Sequence, residues 1–223
     1  FPFLNKIISF SVVLLMSSSI GFCQFGGLLG GGKKSSSMDK DAYIAQGKEL
    51  IQGYALLQAA VLEVGAAQAL AENDSASAEL YTARANALKS DPSSKNFENA
   101  KQSSKVIVEK QKDEEKRSVE YSEKGKEALK ATLPKSFGTV AGATALGILS
   151  VDWLKEYPKQ LKAAGTFGKL KLVKELKVPM MIAKELPSSL VTIPKTLKAI
   201  TGSAKKQGVD VKAAEKKALE IGK

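Results

Sequence analysis

"DAYIAQGKELIQGYALLQAAVLEVGAAQALAE", Asp41 to Glu72, decides the fold class. Tyr43, Gly47, Leu50, Tyr54, Leu57, Val61, Val64, Gln68 and Ala71 recur at alternating spacings of four and three, the seam of a helix laid along others. Ala, Lys, Leu, Glu and Gln dominate from Lys40 on, and alternation with a period of two never lasts beyond a few residues. The expected class is all-α: a helical bundle with two long helices, plus a C-terminal set of short proline-punctuated helices. Gly47, Gly53 and Gly65 each weaken an isolated helix by ~1 kcal/mol, which points to close approach of a neighbouring backbone.

Downstream, "ENDSASAEL" supplies a turn, with Ser75 or Ser77 able to cap a second, Ala-rich helix over 77–89. "KSDPSS" stops it; Asp91 reads as the next cap and Pro92 as the first helical residue. A third helix is expected over 93–132, on a seam of Phe97, Ala100, Ser104, Ile107, Gln111, Glu114, Ser118, Tyr121, Gly125 and Ala128. Its middle, "EKQKDEEKRS" from Glu109 to Ser118, has no apolar residue. Lys110, Lys112, Lys116 and Arg117 already neutralise Asp113, Glu114 and Glu115, so a solvated stretch laced by pairs such as Asp113–Arg117 is expected over a metal or catalytic patch. Leu133-Pro134 is expected to end this helix, since the residue before proline is pushed out of the helical region.

"SFGTVAGATALGILSV", Ser136 to Val151, then runs sixteen residues without a charge. At 1.5 Å per residue it spans roughly 24 Å as a helix, short of a ~30 Å hydrocarbon core. Gly138 and Gly142 form a G-x-x-x-G pair, and with Leu146 and Gly147 they mark a segment for close packing in a bundle or for contact with a membrane. Buried core is the first reading and membrane insertion the alternative. Trp153, just after the apolar run, fits a water–lipid boundary or a core anchor.

Beyond this point the charge balance shifts. Residues 38–150 hold 15 Lys+Arg against 16 Asp+Glu; residues 151–223 hold 16 Lys against 7 acids, so most of the formal net charge of +11 sits in the last third. Leu170, Val173, Leu176 and Lys177 sit at helical spacing, with Lys169, Lys171, Lys174 and Lys184 around them. The five lysines Lys169, Lys171, Lys174, Lys177 and Lys184 are the candidate contacts for an anionic surface. Pro158, Pro179, Pro187 and Pro194 divide the region into expected short helices over 179–185, 187–191 and 194–201. A last helix is expected to be capped by Asp210 and to stop at Gly222.

The N-terminus carries an export signature. One cation, Lys6, precedes the apolar run Ile7–Met16, and small residues follow up to Cys23. The run is half the ~20 residues that a spanning helix needs. Residues 1–23 are therefore expected to be a cleaved signal peptide and 24–38 a Gly/Ser-rich flexible tether, ahead of a long-helix region over 39–133 and an apolar, then basic, short-helix region over 134–223 packed on the bundle. Secretion or a periplasmic location follows, with a lipid anchor on Cys23 as the minority alternative, because Phe22 stands where a lipobox wants a small residue. "GLLGGGKKS" misses the phosphate-loop signature at Lys34, and no strand precedes it.

The chain has no histidine, and its one cysteine lies in the leader. The commonest general base, metal ligand and thiol nucleophile are thus missing from the expected mature chain. A non-enzyme without a cofactor or resident metal is expected. The functional reading is an exported structural or interaction protein of the cell envelope or exterior, contacting anionic surfaces through its basic third. The alternative is a membrane-active helical protein that inserts Ser136–Val151. A protein partner or a second copy, and anionic lipid or acidic envelope polymer, are the ligands considered. Nucleic acid is disfavoured, since Trp153 and Tyr157 alone give no stacking platform, and no small-molecule substrate is indicated.

Overall fold

The computed structural model describes residues 38–114 and 119–221, and among these every regular element is a helix. The chain runs α1 (Lys40–Ala71), α2 (Ser75–Ser90), α3 (Ser94–Glu114), α4 (Glu123–Ala163), α5 (Gly165–Glu175), α6 (Lys177–Lys206) and α7 (Lys212–Ile221). The expected signal peptide and tether up to Ser37, the phosphate-loop near-miss, Cys23, the side chains of the Asp113–Arg117 stretch and Gly222 lie outside the described residues.

The all-α bundle is observed, organised around α1. All nine seam positions of the opening stretch are buried. From Gly53 to Ala71 only Leu56, Glu63 and Leu70 escape full burial, so this half of α1 is enclosed on every side. Its neighbours are α2, α3, α4 and α6, with α7 against α4. The small residues of α1 receive large side chains: a Cβ on Gly53 would lie 2.6 Å from a Leu146 methyl, and one on Gly65 would overlap Ile107. These glycines admit side chains rather than the neighbouring backbone that the sequence suggested. Backbone approach occurs instead at Gly125, where a Cβ would overlap the main chain of Ala71.

The expected third helix is two helices. α3 ends at Glu114, and α4 starts at Glu123, capped by the Ser122 hydroxyl, which accepts from the Gly125 amide at 3.3 Å. Ser122 also closes the end of α1: its amide donates to the Ala71 carbonyl at 2.8 Å and its hydroxyl to the Leu70 carbonyl at 3.1 Å. One serine thus satisfies orphan groups at two helix ends. At α2 the cap is Asp74 rather than Ser75 or Ser77, its carboxylate accepting from the Ser77 amide at 3.0 Å. Pro92 precedes α3 rather than opening it.

Pro134 does not end a helix. α4 passes through Pro134 and Pro158 for 41 residues, bridging the expected boundary at 133/134. Likewise the three short helices expected over 179–201 are one 30-residue helix, α6, with Pro187 and Pro194 inside it. Each interior proline costs about 3 kcal/mol through a lost hydrogen bond and a ring clash. Against that, α6 buries Ile182, Leu186, Ile193, Leu197 and Ile200, at ~1.5–3 kcal/mol each. Tertiary burial outweighs the local penalty. Pro179, third in α6, costs little, because the first amides of a helix have no intrahelical partner.

Candidate anionic-surface site

After α4 the chain turns at Gly165, whose φ of +61° suits glycine, and enters the eleven-residue helix α5. α5 packs lightly on α4 and α6. Leu172 and, just past its end, Leu176 are its buried anchors. The Leu170–Val173–Leu176 face read from the sequence is therefore split. Leu176 points inward with Leu172, whereas Leu170 is 67% and Val173 47% exposed, and Phe167 beside them is 90% exposed.

Lys169, Lys171 and Lys174 on α5, and Lys177 and Lys184 on α6, are all exposed. From Lys162 to Lys198 no lysine forms an ion pair among the described residues. Elsewhere lysines engage carboxylates: Lys110 with Asp74 at 3.1 Å, Lys159 with Glu156 at 2.7 Å and Lys205 with Glu215 at 2.7 Å. Acids between 162 and 198 are only Glu175 and Glu185, and Glu185 is engaged by Lys101 at 2.7 Å. These lysines are exposed and lack a carboxylate partner among the described residues.

The apolar segment Ser136–Val151 forms the middle of α4. Ser136, Phe137, Val140, Ala143, Leu146 and Ser150 are buried, with the Ser136 hydroxyl donating to the Ala60 carbonyl at 3.3 Å. Leu146 fills the notch at Gly53, and Gly147 admits Leu190 of α6. Gly138 and Gly142 lie on the other, half-exposed face, and a Cβ on Gly138 would meet nothing within 4 Å. The two glycines of the G-x-x-x-G pair are thus outside the packed seam. α1 and α4 are both long and apolar enough to cross a membrane, but 78% of the apolar window in α1 is buried against 33% in α4. Trp153 is fully buried, a core anchor rather than a boundary residue.

A second feature escaped the sequence. α1, α3 and α6 enclose an open groove of about 640 Å³ with a polar network along it. The Gln58 amide donates to the Tyr54 hydroxyl at 2.9 Å, which lies 3.1 Å from Ser189 and donates to Glu185 at 3.4 Å; Ser104 donates to Gln58 at 3.4 Å. Burial pushes the Tyr54 phenol above its usual range, while the hydrogen bond with Ser189 opposes the shift. The pairing with Glu185 raises Lys101. A glutamine inside the apolar half of α1 was the available signal, since a buried amide requires polar partners. Among the described residues no three His, Cys, Asp or Glu side chains are grouped to hold a metal.

No protein-family model, curated protein or solved structure matches the chain.

Proposed function

We propose that the chain is an exported, non-catalytic interaction protein of the cell envelope or exterior that holds anionic surfaces through its cationic C-terminal third. The observation that carries this reading is the run of exposed lysines from Lys162 to Lys198 without carboxylate partners among the described residues. Each basic residue near an anionic surface contributes about 1 kcal/mol of attraction, screened within a Debye length of ~10 Å at ordinary ionic strength. Interaction through α1 is less available, because its apolar length is already buried against its own chain. A protein partner or a second copy would meet the outer helix faces.

The test is binding to anionic vesicles and to soluble acidic polymer at low and high salt. Salt-sensitive binding that falls more than tenfold when Lys169, Lys171 and Lys174 are changed to Gln is expected. Absence of binding at low salt, or indifference to the triple substitution, would overturn it. Export is tested by fractionation with intact-mass measurement. Loss of the first two dozen residues is expected, and a cytosolic chain that retains them would remove the premise.

A second reading, membrane insertion of Ser136–Val151, is favoured by the outward face of α4, where Ile148 and Val151 are exposed and Gly138 is open. Dye release from liposomes tests it. Leu146→Lys would unfold the core, so Gly142→Asp on the half-exposed face is the clean variant. Release by wild type that Gly142→Asp abolishes supports insertion; no release by wild type removes it.

A further inference from the structure

The cationic third presents more than charge. Around α5, at about 100° per residue, Phe167, Leu170 and Val173 span an apolar arc of about 120° on the side away from Leu172. Lys171 stands about 40° beyond Phe167 and Lys169 about 40° beyond Val173, while Lys174 falls between Phe167 and Leu170, two turns above the former. All six side chains are exposed. Leu172 and Leu176, on the opposite side, are its buried anchors.

We infer that α5 is a membrane-docking helix, whose outer face enters the interfacial layer of an anionic phospholipid bilayer. This rests on the proposed function and names its partner. An acidic polymer in water would satisfy the lysines but would leave Phe167, Leu170 and Val173 hydrated. A bilayer interface takes both: the apolar arc enters the acyl boundary, and the lysines reach phosphates with their stems along apolar surface. Phe167 leads this face, being the most exposed aromatic residue of the described chain. The helix is too short to span a bilayer, so it lies along the surface and the bundle stays outside.

The experiment uses the chain as purified from cells, vesicles of phosphatidylcholine with a minority of phosphatidylglycerol, and soluble polyphosphate as the lipid-free polyanion. Phe167→Ser with Leu170→Ser should lower vesicle affinity by tenfold or more and leave polyphosphate binding unchanged. Phe167→Trp should add blue-shifted, bromolipid-quenched emission on vesicles, read as a difference from wild type with its buried Trp153. Both variants lie on exposed positions, and unchanged circular dichroism and melting verify that they fold.

Vesicle binding that persists through Phe167→Ser/Leu170→Ser would overturn the docking helix. If Lys169, Lys171 and Lys174 changed to Gln still weaken binding to vesicles and polyphosphate alike, the electrostatic reading stands without it. Binding to polyphosphate but not to vesicles has the same consequence. Binding to neither overturns both.

Discussion

The rings of Tyr43 and Trp153 stack at 4.6 Å and 6°, and each donates to the other's backbone carbonyl, Tyr43 Oη to Trp153 O at 3.2 Å and Trp153 Nε1 to Tyr43 O at 3.0 Å. This reciprocal clasp fastens the start of α1 to α4 across 110 residues of sequence, and both side chains are fully buried. Burial pushes the Tyr43 phenol well above its usual range, with Tyr157 and Glu156 adding to the shift, so it stays neutral and donating through the alkaline range. Trp153→Ala should cost ~3–5 kcal/mol and Tyr43→Phe, which leaves one buried carbonyl short of a donor, about 1 kcal/mol. Urea unfolding of the single and double variants measures both, and additive losses would contradict the clasp.

Gly125 and Gly138 sit in the same helix and should respond oppositely to alanine. Gly125→Ala drives a methyl into the Ala71 main chain, separating α4 from α1 beside the Ser122 cap; a loss of ~1–3 kcal/mol is expected. Gly138→Ala meets open space and gains helix propensity, up to ~1 kcal/mol. Thermal melts of the two variants should move in opposite directions.

The interior prolines of α6 are carried by its burial. Pro187 is exposed, and replacing it restores an amide that can donate to the Ala183 carbonyl. Pro187→Ala should therefore stabilise the chain by ~1–2 kcal/mol, after the unfolded state recovers backbone freedom. A lower denaturation midpoint would mean that the proline ring itself is needed at this point of α6.

Asp74 sets an acid limb. The Ser77 hydroxyl and amide, then Lys110, hold its carboxyl at about 2, below the ordinary 3.8. A depressed acid contributes stability that is present above the unfolded value and lost as pH falls through the folded one. The loss belongs between about pH 4 and 2. With this side chain 36% exposed, solvent screening keeps it small. Asp74→Ala should cost ~1 kcal/mol at neutral pH and flatten that part of the stability-against-pH curve measured by denaturant titration.

What the sequence determined by itself was local and periodic. The four-three spacing from Tyr43 to Ala71 marked a helix and its buried positions, because only one rotation of a helix places all nine on one stripe. The position of α2 and the unequal spread of charge were also legible, and the Asp210 carboxylate accepts from the Lys212 amide at 3.2 Å, although α7 begins at Lys212 and Val211 stands at its cap position. Tertiary structure decided the rest, for a common reason: burial against a distant element can exceed a local preference. It carried α4 and α6 through prolines that end helices in isolation. It also turned Leu176 inward and Leu170 outward, although their spacing from Val173 is equal. The polar groove needed three helices to bring Gln58, Ser104 and Glu185 together, and no spacing along one chain encodes that meeting.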